Sequence, residues 1–301
     1  MKVAVTGSSG LIGSALVRSL VADGHEVLRL VRRTPRTADE HRWEPAHHRF
    51  PDGLLHDVDA VVNLAGVGVG DRRWTEKHKQ QVLASRVDST TTVSQALIEA
   101  AGAEPGRDRV LLSASAVGWY GDTGERVVDE TVPAGDDFLA RVCVAWEAAT
   151  APAAAAGVRV ATLRTGLVLG HGGLLGRLLP LFRLGLGGKL ASGQQYMPWI
   201  SLQDEVDAIR FLLTAPVSGP VNLTAPSPAT NAEFTAALAE VVHRPALFTV
   251  PGFALGLALG EFADVGVLAG QRAVPDVLRS AGFRFTHEDL RAALRAAVAA
   301  R

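Results

Sequence analysis

The chain has 301 residues, 48% hydrophobic and 20% charged, with a formal net charge of −1 at pH 7. That balance offers no basic field for a nucleic-acid backbone, and the apolar share suffices for one large domain or two modest ones. A single cysteine, Cys143, excludes an intramolecular disulfide framework and suits a reducing, cytoplasmic setting.

The first element is an apolar strand, Val3–Thr6, and not a signal peptide. It runs into Thr6-Gly7-Ser8-Ser9-Gly10-Leu11-Ile12-Gly13, and a helical pattern follows at Leu11, Ile12, Ala15, Leu16 and Leu20 up to Gly24. The glycines are spaced G-x-x-G-x-x-G. Strand, glycine turn and helix start together form a place for a dinucleotide pyrophosphate. Gly7 allows a tight turn, Gly10 leaves room for phosphate, and Gly13 lets the helix pack close. Ser9, Leu11 and Ile12 complete the expected cofactor loop. The second strand, Glu26–Val31, ends in Val31-Arg32-Arg33-Thr34. An NAD site usually carries an acidic residue here, whereas guanidinium forks bind a 2′-phosphate. Arg32 and Arg33 therefore point to NADP(H), with two solvated surface arginines as the competing reading.

Residues 34–57 are polar and poorly periodic, a loop with a short strand around Arg42–Trp43. Further strands are expected at Ala60–Ala65, Arg109–Ser115 and Val158–Arg164, with helices at Thr75–Ala101 and Phe138–Ala156 between them. Continuous apolar strands alternating with helices predict an α/β, doubly wound parallel sheet of the Rossmann kind. After Gly166 the texture changes. Glycine loops flank a short helix, and a strand Pro220–Thr224 and helices Asn231–His243 and Thr286–Ala300 follow. Thr286 is the expected N-cap of the last helix, with Leu290, Leu294 and Val298 on its buried face. The expected division is a cofactor-binding domain at 1–170, with returns near 199–214, and a smaller, mainly helical substrate lobe at 171–301. The lobe's C-terminal helical part covers about 248–298. Within it, Phe248–Gly260 is strongly apolar but too short, and too interrupted by Pro251, to span a bilayer. His47 and His48 have no partners at ligand spacing, so no metal is expected.

Several segments, in order, resemble the extended short-chain dehydrogenase/reductase superfamily. They are Thr6–Gly13, then Asp59-Ala60-Val61-Val62-Asn63-Leu64-Ala65-Gly66, Ser113-Ala114-Ser115, Leu163-Arg164-Thr165-Gly166-Leu167-Val168-Leu169-Gly170, and Pro198-Trp199-Ile200-Ser201-Leu202-Gln203-Asp204. Arg73-Trp74-Thr75, Ser85-Arg86-Val87-Asp88, Ser115–Gly121, Gly135–Leu139 and the tail from Gln271 to Phe283 resemble its epimerase-like family more narrowly. That group has a short helical C-terminal domain and is named for nucleoside-diphosphate-sugar epimerases. The resemblance implies that Leu64, Ala65, Gly66 and Val168 border the cofactor. It also implies that Ser115 is the family serine and that Arg86 reaches the cofactor phosphates, against a surface ion pair. Arg73 and Trp74 border the pocket or, for Trp74, join the core.

One departure stands out. The superfamily's acid/base pair, Tyr-x-x-x-Lys, is absent. Gly124 lies four residues after Tyr120, Ile200 lies four after Tyr196, and in register with the family Leu139 and Cys143 occupy the pair's places. The catalytic candidates left are Ser115 and Tyr120, the latter either an acid/base or a packed aromatic with a bonded hydroxyl. Cys143 reads as a small buried hydrophobe. Asp136, Asp137 and Glu147 read as loop or helix-face carboxylates, with Glu147 solvated or capping. Two functions fit. One is an NADP(H)-dependent oxidoreductase or epimerase acting on a small polar, nucleotide-sugar-like substrate. The other is a non-catalytic NADPH-binding sensor or scaffold. A small-molecule substrate is the expected partner, with neither nucleic acid nor membrane, and a homodimer is one option for assembly.

Overall fold

A computed structural model describes residues 1–299. At its centre lies a seven-stranded sheet in which every pairing is parallel. The strands are β1 (Lys2–Thr6), β2 (Glu26–Val31), β3 (Glu40–Arg42), β4 (Ala60–Asn63), β5 (Val110–Ala116), β6 (Arg159–Thr165) and β7 (Gly219–Leu223). Their spatial order is β7-β6-β5-β4-β1-β2-β3. The order reverses between β1 and β4, which opens a crevice at their carboxyl ends. The fold is thus the doubly wound Rossmann arrangement read from the strand pattern.

The helices are α1 (Leu11–Ala22), α2 (Glu76–Ala103), α3 (Phe138–Ala148), α4 (Ala151–Ala155) and α5 (Gly173–Arg183), followed by α6 (Leu202–Thr214) and α7 (Asn231–Val241). Then come α8 (Gly252–Leu259), α9 (Asp276–Ser280) and α10 (Leu290–Ala299). Successive strand residues face opposite sides. Val3 and Val5 accordingly pack with Leu16 and Leu20 of α1 and Ile209 of α6, while Ala4 packs with Val93 and Leu97 of α2. Burial on both faces is why these strands read as unbroken apolar runs. A third core, around Trp199, Phe234, Leu175 and Leu294, holds the smaller lobe together.

Some boundaries differ from the pattern-based expectation. The sheet takes in β7 at 219–223, beyond the 1–170 and 199–214 segments. The single helix expected over Phe138–Ala156 breaks into α3 and α4, because Pro152 has no N–H and its ring crowds the carbonyl one turn back. β3 begins at Glu40, ahead of Arg42–Trp43. Thr286 is not the cap of the last helix. Asp289 Oδ1 accepts from Ala292 N at 2.9 Å instead, and the helix starts at Leu290. Ala300, the expected end of that helix, lies outside the described residues.

Thr286 has another task. Its N–H donates to Asp204 Oδ1 at 2.6 Å, and His287 N–H donates to Asp204 Oδ2 at 3.0 Å. Asp204 is buried in the first turn of α6, with Ser201 as its neighbour and N-cap. One carboxylate thus ties the chain's last segment to a helix of the main sheet. Asp204→Ala leaves two backbone donors unpaired, at roughly 1–3 kcal/mol each. Hydrogen exchange should accelerate across 286–299, with the amides of β1, β4 and β5 unchanged.

Candidate cofactor cleft and adjoining polar cluster

The turn after β1 is built by close approach. Gly7 has φ +63°, and a Cβ on it would lie 2.7 Å from the Leu64 carbonyl oxygen. A Cβ on Gly13 would lie 2.3 Å from the Gly7 oxygen. Both positions therefore exclude side chains. Thr6 fastens the turn to β4: its hydroxyl donates to Asn63 Oδ1 at 2.7 Å and accepts from Leu64 and Ala65 N–H at 3.0 and 3.1 Å. Those two N–H groups are drawn away from the ladder, so β4 ends at Asn63, short of Ala65. α1 starts with Gly10 at its N-cap, no side-chain cap and no acidic residue in its first turn. Its first N–H groups and positive end are left for an anion.

A cleft of about 980 Å³ opens above this turn. Gly7, Ser9 and Gly10 line it, as do Arg32 and Arg33 from the end of β2 and Leu64, Ala65 and Gly66 after β4. The other sequence candidates are not among the residues that line the cleft. Gly13 packs beneath the turn, and Leu11 lies against Gly170 and Gly172. Ile12 and Val168 pack on the apolar core, Val168 in a short strand paired with Trp199–Ser201. Arg86 is held behind Gly66. Its guanidinium donates to the carbonyls of Val67 and Val82 at 2.9 and 3.0 Å and lies 4.8 Å over the Trp146 ring. Burial lowers its pKa, and among the described residues it has no carboxylate partner, so the surface ion-pair reading does not hold.

The two arginines after β2 part company. Arg33 forks Glu40, with bonds of 2.7 and 2.6 Å, and Glu40 also accepts the Arg36 N–H at 2.8 Å. The Arg33 guanidinium holds the Glu40 carboxyl down at about 2. Arg32 is exposed and has no ion pair among the described residues. The acidic residue expected of an NAD site thus has a counterpart at the head of β3, but it is buried and neutralised.

A second cluster sits at the carboxyl ends of β5, β6 and β7. Ser115 pairs in register with Arg164, and Arg164 with Asn222, so the three project from one row. Ser115 donates its hydroxyl hydrogen to Glu147 Oε1 at 2.6 Å. Arg164 forks Glu147 through Nε and Nη2 at 2.9 and 3.0 Å and lies 3.8 Å over the Trp119 ring. Its Nη1 reaches the Tyr120 hydroxyl at 3.2 Å, and that hydroxyl donates to Asn222 Oδ1 at 2.7 Å. Tyr120 is therefore a buried aromatic with an engaged hydroxyl, its pKa pushed up to about 12 by burial. It is poorly placed for proton transfer near neutral pH. Cys143 is buried beside them, its thiol bonded to the Ala116 carbonyl and pushed up to about 12 by the same cause. Trp74 is buried between Phe138 and Phe262, at 5.1 and 5.3 Å. Among the described residues no three His, Cys, Asp or Glu side chains gather as metal ligands.

Glu147 is the residue that the sequence reading underrated. It is neither solvated nor a cap; its side chain is 12% exposed and bonds to both Ser115 and Arg164. A signal was present in the spacing: Leu139, Cys143 and Glu147 fall four residues apart on one face of α3. Where the superfamily places Tyr and Lys, this helix presents apolar groups, and its carboxylate comes one turn later.

Residues 3–224 match the model of the NAD dependent epimerase/dehydratase family. The chain belongs to this family. Residues 250–297 match a domain of unknown function, DUF1731. An epimerase family protein of Mycobacterium tuberculosis is 52% identical, the alignment covering 97% of this chain and 96% of that one. A crystal structure of human epimerase family protein SDR39U1 (isoform 2) with NADPH is 33% identical, covers 100% of both chains and superposes with a TM-score of 0.89. The structure of a nucleoside-diphosphate sugar epimerase from Corynebacterium glutamicum is 36% identical with a TM-score of 0.80, covering 99% of this chain and 58% of that one. The likeness to extended short-chain reductases of the epimerase-like kind is thereby established. No helix among the described residues is long and apolar enough to cross a membrane.

The Arg33–Glu40 fork makes a pH-dependent contribution. A carboxyl depressed to about 2 stabilises the fold fully above its unfolded value, roughly 4.3, and loses that contribution as pH falls through about 2. The melting-temperature difference between wild type and Glu40→Gln should be constant above pH 5 and shrink between pH 4 and pH 2. A difference independent of pH would contradict the assignment.

Proposed function

We propose that the protein binds NADP(H) in the cleft and uses it in an oxidoreductase or epimerase reaction on a small polar substrate of the nucleotide-sugar kind. The glycine turn supports dinucleotide binding, since Gly7 and Gly13 occupy positions where a Cβ would strike backbone. The exposed Arg32 supports the 2′-phosphate, with Arg33 committed to Glu40. The human relative crystallised with NADPH supports the same cofactor. The bacterial relative's name supports a nucleotide-sugar-like substrate. When bound, the nicotinamide supplies or takes up hydride.

The observation that carries a catalytic role is the 2.6 Å bond from Ser115 to Glu147. With its hydrogen directed at the carboxylate, the Ser115 oxygen is left to accept a proton from a substrate hydroxyl. Ser115 is then the catalytic residue and Glu147 the proton acceptor behind it; on reduction the proton returns along the same path. Arg164 holds the carboxylate in place from two sides of its fork. This relay stands in for the missing Tyr-x-x-x-Lys pair, and Tyr120 acts as a positioning residue through Arg164. The substrate lobe is assigned to the segments outside the sheet after 170, and the setting is cytoplasmic. A non-catalytic NADPH sensor is the second reading, favoured by the apolar Leu139 and inert Cys143 where a proton-transfer pair would stand.

Calorimetry should give tighter binding for NADPH than for NADH, and Arg32→Asp should weaken NADPH at least tenfold while leaving NADH unchanged. Equal affinities in the wild type would overturn the NADP(H) assignment. Against a panel of carbonyls and nucleotide sugars, Ser115→Ala and Glu147→Gln should each lower kcat by about 10²–10⁴ without changing NADPH affinity. Tight NADPH binding with no turnover on any compound would favour the sensor.

A further inference from the structure

Six exposed apolar side chains, among them the four most exposed large apolar ones of the described residues, lie on adjoining segments, and none of them lines the cofactor cleft. Leu184 and Leu186 follow α5, Leu247 precedes and Phe248 begins a short strand, and Phe253 and Leu257 stand on α8. The segments are joined. Gly188–Leu190 pairs in parallel with Phe248–Val250, and Arg244 Nε donates to the Arg183 carbonyl at 3.2 Å. Gly188 permits the approach, since a Cβ there would lie 2.4 Å from the Phe248 oxygen. α8 follows directly after Pro251 and buries none of its residues. Leu247, Phe253 and Leu257 are 86%, 80% and 76% exposed, so they protrude from the surface.

The charge on these segments has one sign. No Asp or Glu occurs at 148–203 or at 241–260, whereas Arg183, Lys189 and Arg244 do occur there. Among the described residues none of the three has a carboxylate within ion-pair distance. Of the acidic residues that flank 241–260, Glu240 is held by Arg291 at 2.8 Å and by Arg295 at 3.3 Å, and past α8 Glu261 is held by Lys79 at 3.0 Å, with Asp264 following. Over 245–260 the only polar side chain is Thr249.

We infer that this face is a peripheral membrane-contact surface for anionic phospholipid. Phe253, Leu257 and Leu247 enter the boundary between headgroups and acyl chains, and Arg183, Lys189 and Arg244 meet the headgroup phosphates. Apolar points with a basic rim and no acidic charge are what an anionic bilayer selects. A second copy fits less well: an isologous contact would bring Arg183 and Arg244 of both copies together with no carboxylate between them. A folded protein partner fits less well too, since the patch offers it almost no side-chain hydrogen bonds. The expectation of no membrane partner rested on the shortness of Phe248–Gly260, and that length bears on spanning alone. The proposal does not depend on the reaction catalysed.

The test is co-sedimentation of the full chain with vesicles of phosphatidylcholine alone and with 30% phosphatidylglycerol, at low and high salt. Binding should be at least tenfold stronger to the anionic vesicles and weaken with salt. Phe253→Asp with Leu257→Asp should reduce it at least tenfold, and Arg183→Glu with Arg244→Glu should remove the anionic preference. Each variant should keep the wild-type thermal shift with NADPH, as neither alters the cleft. No binding to anionic vesicles at low salt, or equal binding to both compositions, would overturn the inference. So would a concentration-dependent dimer that Phe253→Asp dissolves, which would put a second copy on this face.

Discussion

The fork between Glu147 and Arg164 is the interaction on which the polar cluster at the carboxyl ends of β5, β6 and β7 depends. Arg164 is almost wholly buried, so its charge needs a partner at short range, and Glu147 supplies both oxygens. A buried pair of this kind adds little net stability, because desolvation offsets attraction, yet removing one member costs roughly 3–5 kcal/mol by stranding the other. What the pair fixes is geometry. Arg164 orients the Tyr120 hydroxyl on one side and the Glu147 carboxylate on the other, and Glu147 orients the Ser115 hydroxyl. Parallel register then carries the arrangement across three strands without slack, from Ser115 to Arg164 to Asn222.

The cofactor cleft is held by a different device, the removal of side chains. Gly7 and Gly13 let β1, the end of β4 and α1 approach more closely than any Cβ permits, and the Thr6 hydroxyl locks that approach to Asn63. The crevice therefore forms where strand order reverses, with a helix N-terminus facing it. The rim is set by charge pairing. Glu40, a potential repellent for phosphate, is buried under Arg33, so of the two arginines after β2 the one without an ion pair among the described residues is Arg32. Each half of the site thus uses one arginine–glutamate fork to hold a carboxylate where it serves the arrangement.

Much of this was legible in the linear chain. The strand–turn–helix start, the parallel sheet and the absence of Tyr-x-x-x-Lys all followed from local spacing, as did the cleft-lining residues Gly7, Ser9, Gly10 and Leu64–Gly66. The residues whose surroundings were not legible share one cause: their neighbours lie far along the chain. Leu11 faces Gly170, Arg86 faces Val67 and Trp146, and Thr286 donates to Asp204. For Glu147, its place on the Leu139–Cys143 face of α3 is the one local signal, and that spacing does not name the partners. Its partners are 32 residues earlier and 17 residues later, on two separate strands.

The sequence by itself determined which backbone geometry is allowed. Glycine spacing and strand periodicity are local constraints, and they specify the fold, the cleft and the family without reference to distant contacts. Only the tertiary structure decided which ionisable groups are free and which are engaged. It set Arg33 against Glu40, engaged the Tyr120 hydroxyl, moved Glu147 to Ser115, and left the apolar face of α8 uncovered. The physical reason is that a side chain's charge and hydrogen bonds are settled by what folding brings within about 3 Å of it, and that neighbour is rarely adjacent in the chain.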